Sequence, residues 1–341
     1  MDAPGEVVLR NREQLTGRVV TLLNPASPGL ARELQTAGMS VNASTTRFGL
    51  SRHLEALGIE TRFEALPTIA DSCSQVIMTL PKEKDLLRMQ LHGCAASMPS
   101  DCPLWLVGEI KAGIKSAARH LRDYFDPVRK LDNARHCVLF SSRPGSNPAP
   151  FDIRDYLHTW TVEHQGSETT LVTLPGVFAH GRLDRGTRVL LEVLETQQPA
   201  GRVLDFACGS GVIGLSLLSA GRDIDVTLLD DSALALESAR RSLQQNTLEA
   251  NVLPSDGLSE ARGPFDWIIS NPPFHSGVRN DLDTAARFFR EAGTFLAEKG
   301  RILVVFNQHL PYTGWLRDQF KHVETLVRRD GFNVVQASNR L

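Results

Sequence analysis

Three segments from the first half of the chain return in the second half, in the same order. Arg18–Pro25 (RVVTLLNP) is matched by Arg202–Gly209 (RVLDFACG), Ser74–Lys82 (SQVIMTLPK) by Asp266–Phe274 (DWIISNPPF), and Leu104–Glu109 (LWLVGE) by Ile302–Asn307 (ILVVFN). The offsets, 184, 192 and 198, drift only as far as loop insertions allow. One such match is ordinary among apolar strands. Three in register indicate a duplicated unit, and both halves must then share one fold.

The second half shows what that unit is. Short β-rich runs at 202–207, 225–230, 251–256, 265–270 and 301–306 alternate with stretches such as SALALESARRSLQQN (Ser232–Asn246). In those stretches apolar residues recur at three- and four-residue spacing, as in helices packed on a sheet. Strands alternating with helices imply a mostly parallel sheet. The expected fold is α/β, two tandem Rossmann-like domains at 1–145 and 151–341, joined through the turn-rich SSRPGSNPAP of 141–150. A chain of 341 residues, 42% hydrophobic, has the length and apolar content for two cores. No apolar run approaches the roughly eighteen residues that a membrane span needs, and the N-terminus lacks a basic region followed by an apolar one. The five cysteines are odd in number and form no CxxC pair, which suits reduced thiols and no metal site. A cytoplasmic protein is expected.

Chemistry concentrates around VLDFACGSGVIG (203–214), where Gly209-x-Gly211-x-x-Gly214 lies between a strand and a helix. Glycines there let backbone approach a ligand closely. The pattern alone also fits a dinucleotide site. Asp205, however, stands four residues before the first glycine, where a pyrophosphate would be repelled and an ammonium group welcomed. Asp230, ending the next strand, can accept from two ribose hydroxyls, and Asp256, after the third, from an adenine amine. An adenosine with a cationic amino-acid tail is S-adenosylmethionine, and three aspartates at successive strand ends make simple helix caps a poor account of them.

The fourth strand ends on Asn271-Pro272-Pro273-Phe274. A residue before proline is held extended, so the Asn271 side-chain oxygen and the Pro272 carbonyl are rigid acceptors for the two N–H groups of an exocyclic amine. Held that way, the nitrogen lone pair turns out of the ring plane toward a methyl donor. Phe274 offers a face on which a base can stack, and His275 and Arg279 on the same loop are candidate substrate contacts. The first half carries Thr21 where the second has Asp205. It has LLNPASPG in place of the glycine loop and Thr79-Leu80-Pro81-Lys82 in place of Asn271–Phe274, so it reads as a degenerate copy. Net charge is only −2, yet eight Lys/Arg against three Asp fall between Lys111 and Arg143. That stretch fits either a solvated helix face or a phosphate-binding patch that includes Lys111, Lys115 and Arg119.

These motifs, with TLPGVFAHGRLDRGTRVLLEVL (173–194) and the LPY of 310–312, resemble the class I methyltransferases of planar amino nitrogens. Among those, the whole chain resembles the ribosomal RNA small subunit methyltransferase C family. The resemblance implies methylation of a guanine N2 in helix 34 of 16S rRNA within the small ribosomal subunit; separately, a monomer is expected. It assigns Asp205, Gly209, Gly211, Asp230, Asp256 and Asn271 to the cofactor, Asn271, Pro272 and Phe274 to catalysis, and places Phe178 and Asp184 over the cleft. The family's loop reads Asp-x-Gly-x-Gly-x-Gly, and here Ala207 stands at the first of those glycines. Other chemistries with a planar NH2 group remain compatible with the residues: a guanine in 23S rRNA, an adenine in DNA or a protein glutamine. A non-catalytic RNA-binding assembly protein is the alternative outside enzymes.

Overall fold

The computed structural model describes residues 1–146, 150–272 and 279–340, without the side chains of 279–283. The chain forms two compact units, Met1–Leu157 and His158–Leu341. In the first, strands β1 (Val19–Leu23), β2 (Ser40–Thr45), β3 (Glu60–Phe63), β4 (Gln75–Thr79), β5 (Leu104–Glu109), β6 (Arg129–Ala134) and β7 (Cys137–Ser142) form one sheet in the order β3-β2-β1-β4-β5-β7-β6. The second unit begins with a hairpin, β8 (His158–His164) and β9 (Ser167–Thr173). Its main sheet comprises β10 (Gly201–Phe206), β11 (Ile224–Asp230), β12 (Asn251–Pro254), β13 (Phe265–Ser270), β14 (Leu296–Asn307), β15 (Phe320–Arg329) and β16 (Phe332–Arg340). Their order, β12-β11-β10-β13-β14-β16-β15, repeats that of the first sheet. In both, five strands run parallel and the last two pair antiparallel. The duplication and the doubly wound α/β class read from the sequence are both present.

Parallel sheets need both faces covered, which explains why their strands are apolar almost throughout. On one face of the second sheet, Val203, Ile269 and Leu303 meet Leu190 and Leu194 of the helix Arg185–Gln197 and Leu215 of the helix Val212–Ser219. On the other, Leu204, Ile268 and Val304 meet Phe288 and Phe289 of the helix Arg279–Ala292. The β8–β9 hairpin was not foreseen. Its edge is closed by a stripe on the helix Ala233–Asn246, where Asn246 Oδ1, Ser242 Oγ and Ser238 Oγ accept from the backbone N–H groups of Thr170, Val172 and Leu174 at 2.9, 2.9 and 3.0 Å. Polar side chains at four-residue spacing thus protect an edge that would otherwise invite pairing.

Three sequence expectations are corrected. The division between units falls after Leu157, not at 145–151. Tyr156 donates or accepts a 2.8 Å hydrogen bond with His92 Nδ1, and the Phe151 ring sits 5.3 Å edge-on from His92, so the stretch after the turn-rich segment packs with the first unit. Ser141 and Ser142, assigned to the linker, end β7. The basic stretch is not one helix face either. Only Lys115, Arg119 and Arg122 lie on the helix Ile114–Arg122, while Arg129 and Lys130 lie on β6, and Lys111 is held by Glu109 at 2.9 Å.

The third correction concerns register. Asp205 pairs with Ile269, and the pairing equivalent to it in the first sheet is Leu22 with Ile77. Leu22 lies in the core cluster on the helix Ala3–Arg10 side, matching the Asp205 face, whereas Thr21 faces the other way and donates to Cys73 Sγ at 3.1 Å. The positive φ values of Asn24 (48°) and Ala207 (56°) fit the same alignment. The counterpart of Asp205 is therefore Leu22. A slip of one residue moves a strand side chain to the opposite face, and apolar strings of similar composition cannot reveal it.

Candidate active site

The chain runs outward from β10 to β12 and then returns to β13, so the connections after β10 and β13 diverge to opposite sides of the sheet. That switch point leaves a crevice beyond the carboxyl ends of the strands, where ligands of open α/β folds bind. Asp205, Asp230 and Asn271 all sit along this edge.

Asp205 is the penultimate residue of β10 and is wholly buried. Its Oδ2 accepts from the Gly214 N–H at 2.9 Å, while Oδ1 has no partner among the described residues. Burial pushes this carboxyl up to about 7; the Gly214 hydrogen bond opposes the shift and the Asp230 charge adds to it. Glycine is required at 214, because a Cβ there would lie 2.5 Å from Leu228 Cδ2 and would separate the helix from β11. Gly211, at φ 83°, turns the chain into the helix Val212–Ser219. Gly209, at φ 56°, would place a Cβ in open space, so the loop presents bare backbone outward. Ala207 also adopts a positive φ, a conformation that glycine takes freely and an L-residue holds at a cost of roughly 1–2 kcal/mol.

Asp230 closes β11. Its Oδ2 accepts from the Gly209 N–H at 2.9 Å and its Oδ1 from the Ser232 N–H at 2.8 Å. Burial raises its carboxyl to about 6, against the pull of those two bonds. The aspartate thus ties the glycine loop to the end of the neighbouring strand and keeps one lone pair on each oxygen. Asp256 lies two residues past β12 and pairs with Arg287 Nη2 at 2.7 Å. That partner comes from the helix following the Asn271–Phe274 loop, a contact that no local sequence pattern signals.

Asn271 follows β13 directly and is 9% exposed. Both of its amide protons are committed: Nδ2 donates to Thr187 Oγ1 at 2.8 Å and to Asp184 Oδ2 at 3.1 Å. The carbonyl oxygen Oδ1 is left without a partner among the described residues. A carboxylate and a hydroxyl clamping the NH2 group fix which way the amide faces, so Asn271 presents an acceptor and not a donor. Asp184 is itself held as N-cap of the helix Arg185–Gln197, accepting from the Thr187 N–H at 3.0 Å. Thr187 was missed by sequence reading. The Asp184–Thr187 spacing is a visible helix-cap signal, but its contact with a residue 84 positions away is a tertiary fact.

Phe178, in the segment before that helix, is 50% exposed, one of few large apolar side chains on the surface among the described residues. Phe274 and His275 lie outside the described residues, as does the Arg279 side chain. Pro272 is buried at the end of β13. Lys115 and Arg119 are exposed on the first unit.

Residues 168–336 match the family model described as the methyltransferase small domain, and residues 5–160 its N-terminal companion, the methyltransferase small domain N-terminal. The fold is shared, at a TM-score of 0.89 and 24% identity, with a T. thermophilus 16S rRNA guanine-N2 methyltransferase solved with AdoMet and guanosine; the match covers 99% of this chain and 92% of the other. The ribosomal RNA small subunit methyltransferase C of Hahella chejuensis is 36% identical across 98% of both chains. Its namesake from Shewanella loihica is 36% identical over 334 residues, 97% of each. On this full-length likeness, carried through both units, the chain belongs to the ribosomal RNA small subunit methyltransferase C family.

Proposed function

We propose that the protein transfers a methyl group from S-adenosylmethionine to the exocyclic N2 of a guanine in cytoplasmic 16S rRNA. The observation that carries this reading is the Asn271 amide, whose protons are pinned by Asp184 and Thr187 and whose buried oxygen is left unpaired. An unpaired buried acceptor costs stability, roughly 1–3 kcal/mol. An exocyclic amine supplies the missing donor.

The residues along the strand ends fit S-adenosylmethionine. Asp205 Oδ1 is a buried carboxylate oxygen in want of a cation, which the ammonium group of that cofactor provides. Gly209 and Gly211 leave backbone bare along the loop, and Ala207 opens it. Asp230 retains lone pairs for ribose hydroxyls, and Asp256 has a second oxygen for the adenine amine. When bound, the cofactor supplies an electrophilic methyl group on a sulfonium. Asn271 Oδ1 accepts one N–H of the target amine and the Pro272 carbonyl accepts the other, which aligns the lone pair that attacks. Phe274, with Phe178 over the cleft, provides stacking faces for the base, and His275 and Arg279 contact the substrate. Water can take the proton that the amine releases after transfer, so no dedicated base is needed.

Target choice is assigned to both units. Lys111, Lys115 and Arg119 on the first unit hold rRNA phosphates and fix register, while the second performs the chemistry. The sequence resemblance supports helix 34 as the locus and the assembled small subunit as substrate, and the enzyme is proposed to act as a monomer. The test is transfer of labelled methyl from S-adenosylmethionine to small subunits from a strain lacking this protein, with mass mapping of 16S and 23S rRNA. Product at a guanine N2 in 16S rRNA is expected. Asn271→Ala should lower turnover by about 100-fold or more while leaving the Kd for S-adenosylmethionine nearly unchanged. Methylation found in 23S rRNA or in protein would overturn the substrate assignment, and a collapse of cofactor binding in Asn271→Ala would overturn its role at the amine.

A further inference from the structure

Three arginines, Arg182, Arg185 and Arg188, surround the N-terminus of the helix Arg185–Gln197, and all are exposed. The positive end of a helix dipole disfavours cations, and the first turn of this helix contains no acidic residue beyond its cap. None of the three has an ion pair among the described residues. The side chain placed to neutralise Arg188, Glu192 one turn on, is instead paired with Arg329. The carboxylate one turn before Arg188, Asp184, is engaged as the helix cap and on the Asn271 amide, so three exposed arginines stand beside a single, committed cap and can take up an anion.

Arg182 and Arg188 also line a cavity of about 540 Å³, together with the half-buried indole of Trp160, Leu183 and Gly181. Glu163, Glu192 and Glu195 line it as well; they repel phosphate but can accept from base amines or 2′-hydroxyls. Exposed Phe178 lies four residues before Arg182, and Asp184, between two of the arginines, is the residue that orients Asn271. An exposed aromatic ring and three arginines thus lie on the segment that positions the candidate catalytic amide.

We infer that residues 178–188 form a docking strip for the RNA strand flanking the target guanine. Its phosphates sit on Arg182, Arg185 and Arg188, and one flanking nucleotide enters the cavity against Trp160. The inference rests on the reading of the substrate as 16S rRNA and adds the surface that holds it beside the active site.

The test compares the full-length wild type with Arg182→Gln/Arg185→Gln/Arg188→Gln and with the corresponding triple lysine variant. The Kd for small subunits lacking the modification is measured between 50 and 200 mM salt, alongside the Kd for S-adenosylmethionine and the thermal midpoint. Loss of three phosphate contacts should weaken subunit binding by about tenfold or more and lower the slope of log K against log salt by about two. Cofactor affinity should hold, and the midpoint should hold or rise as charge leaves the helix N-terminus. The lysine variant should recover the slope and most of the affinity. Arg182→Gln alone, outside the helix, should show about a third of the slope change, which covers a triple variant that fails to fold. Unchanged affinity and slope in a stable variant overturn this inference alone. A wild type with no salt-dependent binding to subunits or 16S rRNA overturns the RNA reading along with it.

Discussion

Replacing Asp205 by asparagine should make the ligand-free protein more stable above neutral pH while removing most of its affinity for S-adenosylmethionine. Asp205 is wholly buried and has one unpaired oxygen, and burial raises its carboxyl to about 7. A carboxyl whose folded pKa exceeds its unfolded one favours the fold fully only at low pH, and that advantage is lost as pH rises through the folded value. From an unfolded pKa near 3.9, the ionised group costs the fold about 4 kcal/mol at pH 8 but only about 1–2 kcal/mol at pH 5. Asparagine can still accept from the Gly214 N–H but carries no charge to desolvate. The stability of Asp205→Asn relative to wild type should therefore grow by about 2–3 kcal/mol between pH 5 and pH 8. Urea unfolding followed by tryptophan fluorescence suits the measurement, because Trp160, Trp267 and Trp315 all lie in the second unit. Calorimetry with S-adenosylmethionine completes it: with the cofactor's cation on the ionised carboxylate, as proposed, wild-type affinity should fall as pH drops below about 7. A stability difference independent of pH, or a variant that keeps its cofactor affinity, would refute the reasoning.

Ala207→Gly should raise the unfolding free energy by up to about 1 kcal/mol, since φ 56° favours glycine, whereas Gly211→Ala should lower it, because its Cβ would lie 2.6 Å from Leu215 Cδ1; paired urea titrations check both. Calorimetry should find one S-adenosylmethionine per chain, with Asp230→Ala weakening it by at least tenfold; two equivalents would mean that the first unit also binds cofactor. Thr187→Val removes one of the two acceptors that orient the Asn271 amide, and should lower turnover about tenfold with cofactor Kd unchanged, as read by single-turnover methylation.

The fold was legible because it is periodic. Apolar strands alternating with helical spacing, repeated at three offsets, leave few alternatives to two doubly wound sheets. The candidate cofactor edge was legible for a related reason: Asp205, the glycines and Asp230 fall at consecutive strand ends, and topology brings consecutive strand ends together. Asn271 was legible through the prolines that fix its backbone. What the sequence hid are contacts between segments remote along the chain. Thr187 on the Asn271 amide and Arg287 on Asp256 depend on how helices land on the sheet, which no local pattern encodes. The division after Leu157 was hidden because rings, not turn residues, decide it: Phe151 and Tyr156 pack on His92, beyond the segment whose Pro and Gly mark a linker.

Leu22 is the natural counterpart of the asparagine substitution. It occupies the place of Asp205 in the first sheet, is 1% exposed, and packs with Val20, Ile77 and Trp105. On the proposal that the first unit binds no cofactor, a buried, half-satisfied carboxylate has no use there, and a leucine exchanges a desolvation cost for an apolar gain of about 1.5–3 kcal/mol. Leu22→Asp should therefore destabilise the first unit by the lost burial plus a penalty that grows with pH, together more than about 4 kcal/mol at pH 8. Leu22→Asn should lose the burial but show no pH dependence from that site. Hydrogen exchange of amides in β1 and β4, read at pH 6 and pH 8 with intrinsic rates removed, separates the two variants. Thr21 faces the opposite side and serves as the control for register, since Thr21→Val should leave that pH dependence untouched. If Leu22→Asp proved no more pH-sensitive than Leu22→Asn, the position would not reproduce the environment of Asp205, and the structural equivalence of the two strands would fail at the residue where it matters most.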